Sequence, residues 1–267
     1  MTGTKGTRGR RRGLMIQSRD LVLLAQLWIM RVADRDQLMI ASGFHSITRI
    51  NARLLALTRA GLLRRFFIGF GGGRKALYAI SAKAAQLIEK PLRGPRRGRD
   101  ELVAADFSVI HQLTINDVYC SVKFRTIPVP GVAFMNWMGF PELVVDGSRL
   151  IPDGYVEFST PTGRDAAFVE VDLGNENLTV WKEKAKRYFQ FAKSGEFARK
   201  FSRHHFRVFV LTHSIRRTHT IRAAVAEVTE KIFWFATLDA THGDSFFSPE
   251  WFRPLGDTQQ PLFEQPR

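Results

Sequence analysis

From Asp153 to Leu173 the chain spells out two strands joined by one tight turn, and this pairing restricts the fold more than any other stretch. Tyr155-Val-Glu-Phe158 leads into Thr160-Pro-Thr-Gly163, and Phe168-Val-Glu-Val-Asp172 leads out. Strand side chains alternate between faces. The second strand nevertheless carries apolar residues on both of its faces (Phe168, Val169, Val171, Leu173), as a strand inside a sheet does. Such a strand needs others beside it and helices above and below. If the turn centres on Thr162-Gly163, Asp153 faces Asp172 and Tyr155 faces Glu170. Glu170 and Asp172 are two apart and share a face, and directly opposed residues share a face too. Asp153, Glu170 and Asp172 are therefore expected to crowd one end of the hairpin.

Three carboxylates that close repel one another, and burial makes each costlier. A hard divalent cation, Mg²⁺ or Mn²⁺, removes that cost and takes oxygen ligands. The candidate ligands are Asp153, Glu170 and the backbone carbonyl of Val171. Phosphate chemistry beside such an ion needs a further cation to stabilise developing charge. The helix expected over about 177–193 offers Lys182, Lys184 and Lys186, and Lys184 shares a helix face with Tyr188 four residues on. The candidate catalytic set is Asp153, Glu170, Asp172 and Lys184. A lysine-bearing helix is also what a solvated face looks like.

The rest of the chain is suited to a polyanion. Residues 1–99 hold 21 Lys/Arg against 4 Asp/Glu, whereas residues 100–267 hold 19 against 21. An excess confined to one third of the chain points to nucleic acid, with a membrane surface as the alternative. Residues 1–17 read as a basic flexible arm that includes Arg10, Arg11 and Arg12. Residues 18–90 read as three helices and a hairpin, a winged helix–turn–helix. Ser18 caps the first helix, with Leu21, Leu24, Leu27 and Trp28 on one face; Asp34 starts the second; Ser46 caps the third, with Ile50, Leu54 and Leu57 inward. The third helix presents Ser46, Thr48, Arg49 and Arg53 as DNA contacts. Arg74 and Lys75 follow a triple glycine at the hairpin tip and are read as phosphate contacts. Residues 91–99, with two glycines and two prolines in the stretch from Lys90 to Arg99, form a basic linker that adds Arg96 and Arg97.

Residues 100–253 read as one mixed α/β domain, and 254–267 as an irregular tail. The expected order is a helix over 100–125, strands at Val132–Trp137, Glu142–Val145, Arg149–Ile151, Tyr155–Phe158 and Ala166–Leu173, the lysine-bearing helix, a strand at Arg207–Thr212, a helix over about 217–232 and a strand at Phe233–Leu238. His111 sits on the first helix, where a half-buried, hydrogen-bonded histidine is the plainer reading and a role near the acids the sharper one. Cys120 is the only cysteine, which rules out an internal disulfide and fits a reducing cytoplasm. Leu21–Met30 is too short to span a bilayer. There is no His-Glu-x-x-His zinc motif and no Gly-x-Ser-x-Gly elbow, and His204, His205, His213 and His219 are scattered.

Pro152-Asp153, Val169-Glu-Val-Asp172, Lys184 and Tyr188, taken with His111-Gln-Leu-Thr-Ile-Asn-Asp-Val118, resemble the replication-relaxation family, which includes MobC-type plasmid mobilisation relaxases with a PD-(D/E)xK nuclease-like domain. The resemblance implies a winged helix joined to a restriction-endonuclease-like sheet. It also implies metal-dependent nicking of double-stranded or locally melted DNA at a plasmid or mobile-element origin, with Asp153 and Glu170 on the metal. A homodimer is compatible with it. The lysine usual two residues after the second acid is Asp172 here, so Lys184 becomes the matching candidate. The alternative is a DNA-binding regulator of transcription or replication with a degenerate nuclease fold.

Overall fold

The computed structural model describes residues 14–70, 73–93, 102–103, 107–140, 144, 149–248 and 250–263. The chain divides into two compact units, Met1–Ala104 and Ala105–Arg267.

The first unit runs α1 (Ser18–Met30), β1 (Ala33–Asp34), α2 (Arg35–Ser42), α3 (Ile47–Arg59), β2 (Leu63–Phe70), β3 (Gly73–Ile80), α4 (Ala82–Leu87) and β4 (Leu102–Val103). This is the order of a winged helix–turn–helix, with β2 and β3 as the antiparallel hairpin and a sheet order of β1-β3-β2-β4. Asp34 caps α2 by accepting from the Gln37 amide at 2.9 Å, and Ser46 caps α3. Each such cap is worth about 1 kcal/mol. Leu24, Leu27, Ile50, Leu54, Leu57, Leu63, Leu77 and Ile80 are buried. Leu21, expected inward, is 41% exposed, and Leu23 takes its place in the core. The helix expected over 100–125 begins only at Phe107, because Leu102–Val103 pairs in parallel with Phe67–Ile68 as β4.

The second unit comprises α5 (Phe107–Lys123), β5 (Ala133–Met138), β6 (Gly154–Thr160), β7 (Gly163–Asp172), α6 (Leu178–Lys193), α7 (Glu196–Phe201), β8 (Arg207–Thr212), α8 (Ile215–Ala226), β9 (Phe233–Thr237) and a short 3₁₀ turn, Gly243–Phe247. The sheet order is β5-β6-β7-β8-β9, which puts β7 in the middle. Pairs from β5 to β7 are antiparallel, and those from β7 to β9 are parallel. Residues Arg149–Ile151, expected as a strand, are irregular, and of Glu142–Val145 only Val144 lies within the described residues. The helix expected to reach 232 stops at Ala226.

The alternation along β7 sorts the core into two layers. Phe168 joins Trp181, Tyr188, Phe206 and Phe233 on the α6 and α8 side. Val169 and Val171 join Val118, Phe209, Phe246 and Trp251 on the α5 side. The tail contributes as well, since Leu262 and Phe263 are buried in the second layer. Among the described residues no helix is long and apolar enough to cross a membrane.

Candidate active site

The β6–β7 turn sets the geometry. Gly154 pairs with Val169 and Thr160 with Gly163, so the loop is Pro161-Thr162 rather than Thr162-Gly163. Tyr155 faces Phe168. The Asp153 amide donates to the Val169 carbonyl at 3.1 Å, which brings Asp153 opposite Glu170 and not Asp172. A slip of two residues keeps every side chain on its expected face, so the faces hold while the partners change. Gly154 is required at this strand start, because a Cβ there would lie 2.5 Å from the Trp137 ring.

Asp153 and Glu170 meet where the hairpin begins. Asp153 Oδ2 accepts from the Val171 amide at 2.7 Å. Glu170, 1% exposed, points to the α6 face. There Lys184 Nζ donates to its Oε2 at 2.9 Å and the Tyr188 hydroxyl to its Oε1 at 2.6 Å. The i, i+4 pair expected on α6 thus holds both oxygens of one carboxylate. Lys184 also meets Glu176 at 2.9 Å. Burial raises the Glu170 carboxyl to about 7, and the Asp153 charge adds to this against the pull of Lys184 and Tyr188. Burial works against the Lys184 ammonium, but Glu170 and Glu176 outweigh it and hold the proton more firmly than usual. Burial and the neighbouring Glu170 push the Tyr188 phenol well above its ordinary value.

Asp172 does not join this group. Arg217 of α8 grips it in a fork, Nε to Oδ1 and Nη2 to Oδ2, each at 2.8 Å. Trp181 Nε1 adds 2.9 Å and the Gly174 amide 2.9 Å. Burial opposes its charge, yet Arg217 and Trp181 prevail and keep it below the ordinary carboxylate range. The expected crowd of three acids is therefore two acids beside a separately neutralised third. A guanidinium arriving from 45 positions along the chain cannot be seen in strand alternation.

His111, on α5, reaches the same place from the other face of the sheet. Its Nε2 lies 2.9 Å from the Val171 carbonyl oxygen and 3.5 Å from Asp153 Oδ2. Burial lowers its basicity, but Asp153, the Val171 carbonyl and Glu170 outweigh that and raise it to about 8. Glu176 carried no recognisable motif, and Arg217 stood out only in the Arg216-Arg217 pair of the late strand–helix–strand stretch that resembles the family, with nothing to tie it to Asp172. His111 had two signals, a polar position within the apolar stripe of a helix and its place at the head of the stretch to Val118 that resembles the family.

The residues at this spot suit a hard cation in donor chemistry. Asp153, Glu170 and the Val171 carbonyl are all oxygen donors, and the Glu170 carboxyl is raised chiefly by burial, with the Asp153 charge adding to it. Among the described residues no group of three or more His, Cys, Asp or Glu side chains is gathered as a metal cage. Mg²⁺ characteristically uses one or two carboxylates and keeps several waters, so two acids and a carbonyl match the kind of protein ligand it takes, although here Glu170 is engaged by Lys184 and Tyr188, the Val171 carbonyl by His111 and Asp153 Oδ2 by the Val171 amide.

The expected DNA contacts divide. Thr48, Arg49 and Arg74 are exposed. Ser46 spends its hydroxyl on the Arg49 amide at 3.4 Å. Lys75 is half-exposed and ion-paired with Asp34. Arg53 does not point outward as expected. Its Nε donates to the wholly buried Asp20 at 2.6 Å, its Nη2 also pairs with that carboxylate, and the Met15 carbonyl accepts from Nη2 at 2.8 Å. Arg10, Arg11, Arg12, Arg96 and Arg97 lie outside the described residues.

A model of the replication-relaxation family matches residues 24–203, which spans both units from within α1 to just past α7. No curated protein and no solved structure matches the chain.

Proposed function

The chain belongs to the replication-relaxation family, and from that premise we propose that it is a DNA-binding, divalent-metal-dependent endonuclease that nicks one strand at a plasmid or mobile-element origin. The observation that carries this reading is the grip of Lys184 and Tyr188 on Glu170, with Asp153 opposite. It supplies two acids and one lysine in the roles of a PD-(D/E)xK site, the lysine coming from helix α6 rather than from the strand. In this reading Asp153, Glu170 and the Val171 carbonyl would hold Mg²⁺ or Mn²⁺. When bound, such an ion supplies charge neutralisation at the attacked phosphate and a more acidic water. Lys184 keeps its proton and offers a fixed positive charge to the developing oxyanion. Tyr188 fixes the carboxylate from the side that water does not reach.

Water, rather than tyrosine, is the nucleophile we assign. The chain has four tyrosines, and Tyr78, Tyr119, Tyr155 and Tyr188 are 7%, 1%, 0% and 0% exposed. The Tyr119 hydroxyl accepts from Lys123 at 2.8 Å, and the Tyr155 hydroxyl donates to Glu157 at 2.7 Å. Burial raises all four phenols, so none is a ready attacking phenolate. The exposed end of α3, with Thr48 and Arg49, and Arg74 on the hairpin would contact the duplex.

The test is nicking of supercoiled origin DNA with Mg²⁺ or Mn²⁺. Asp153→Ala and Glu170→Ala are expected to abolish it and to keep DNA binding in a gel-shift measurement. Undiminished nicking by both variants would remove the site. One observation favours the alternative, a regulator that binds without cutting: Asp172 stands where the strand lysine would be and is committed to Arg217. That reading expects specific duplex binding and no cleavage with any divalent ion.

A further inference from the structure

Arg31 carries two independent burdens. Its backbone sits at φ 64°, ψ −49°, and the Val32 amide closes onto the Met30 carbonyl at 2.7 Å. That is a γ-turn of the rare positive-φ kind, strained for any residue with a Cβ. Glycine would relieve the strain. Its guanidinium is also half-buried, and burial followed by the charge of Arg93 makes it easier to deprotonate than a free arginine. Structural arginines escape the second burden through a carboxylate, as Arg53 does with Asp20. Arg31 has none among the described residues: Asp20 pairs with Arg53, Asp34 with Lys75 and Asp36 with Arg35, and Glu89, the remaining acid of residues 1–99, is exposed on the turn before Lys90.

More cations gather at the same place. Trp28, three residues before Arg31, donates its indole N–H to the Pro91 carbonyl at 2.8 Å, which pins the chain after α4 against α1. Arg93 Cζ then stands 4.0 Å from the centre of the Trp28 ring and Lys90 Nζ 5.5 Å from it. The electron-rich face of an indole attracts a cation. Attraction to the ring offsets part of the repulsion between the two side chains, but it leaves the charge of Arg31 uncompensated. A strained backbone that holds a half-buried cation beside Arg93, which shares the Trp28 ring with Lys90, is explained if an anion completes the group.

We propose that Trp28, Arg31, Lys90 and Arg93 form a binding site for a phosphate of the DNA backbone, additional to α3 and the β2–β3 hairpin. Guanidinium groups suit a phosphate because their planar donors match its oxygens. Trp28 orients the cations, and the turn at Met30–Val32 aims Arg31. This inference rests on the DNA-binding part of the proposed function and is independent of the nuclease site.

The test is the salt dependence of affinity for a random-sequence DNA duplex, with Arg31→Gly, Arg93→Ala and the double variant. Each neutralised phosphate contributes about 0.9 to the slope of log affinity against log salt. The double variant is expected to lower the slope by about 0.9 to 1.8, depending on whether the two arginines share one phosphate, and to weaken binding roughly tenfold or more at low salt. Arg31→Gly is expected to melt at or above the wild-type temperature, since it removes the strain. Arg35→Ala, which removes a cation already paired with Asp36, is expected to leave the slope unchanged. An unaltered slope in the double variant overturns the proposal and leaves DNA binding standing. An equal loss in Arg35→Ala also overturns it, because net charge alone would then account for the effect. Failure of the wild type to bind the duplex at any salt removes both readings together.

Discussion

Glu170→Gln should stabilise the protein at pH 8 and do so much less at pH 5. In the folded chain the Glu170 carboxyl is raised from 4.5 to about 7, chiefly by burial. The folded state therefore holds this proton more tightly than the unfolded state. The stability that results is fully present below pH 4.5 and is lost as the pH rises through 7. At about 1.4 kcal/mol per pH unit, keeping Glu170 ionised at pH 8 costs roughly 3 kcal/mol. The attraction to Lys184 is already contained in that figure. Glutamine carries no charge at either pH and can still accept from Tyr188, so a gain of about 1–3 kcal/mol at pH 8 is expected. Urea denaturation at pH 5 and pH 8, followed by tryptophan fluorescence, measures both differences. A variant less stable than wild type at pH 8, or a difference of equal size at the two pH values, would refute the reasoning. His111 acts in the same direction. It is raised from 6.5 to about 8, so its contribution is complete below pH 6.5 and fades as the pH passes 8. Asp172 acts in the opposite sense: its support is fully present above the ordinary carboxylate value and is lost as the pH falls from there through its lowered value.

Arg53→Ala should lose about 3 kcal/mol of stability in denaturation, because it strands the buried Asp20, whereas Arg49→Ala should melt as wild type and bind DNA more weakly in a gel shift; the opposite assignment would show that the roles have been exchanged. Arg217→Ala should cost about 3–5 kcal/mol, since a forked partner leaves a buried Asp172, and the additional replacement Asp172→Asn should recover most of that loss in the same assay.

Helical and strand periodicities made most of the framework legible. Leu54 and Leu57 on α3, the double-sided apolar run of β7 and the spacing of Lys184 and Tyr188 all led to the faces that the structure contains. The partner of Asp153 was misplaced because the turn residues allow two centres, and Pro161, with its fixed φ, belongs at the first loop position. A two-residue slip changes which acid is opposite but not which face it uses. Arg53 was misassigned for a different reason. Its helical position near Thr48 and Arg49 suggested solvent, while Asp20 lies 33 residues earlier and signals nothing by spacing. Arg217 and Asp172 are a similar case. Pairings across a fold depend on how helices dock, and a local pattern does not encode that. The short strand Leu102–Val103 was hidden by apolar residues that read equally well as the start of a helix.

Placing the ammonium on α6 and the acid on β7 makes the proposed catalytic group a product of tertiary assembly. Had the lysine followed Glu170 on the same strand, a single hairpin would carry the whole constellation. Here helix and sheet must dock before the charges meet, so loosening of α6 disperses the group while the hairpin itself persists. If the chain nicks DNA as proposed, loss of that activity on warming should precede global melting, because partial unfolding separates helix from sheet first.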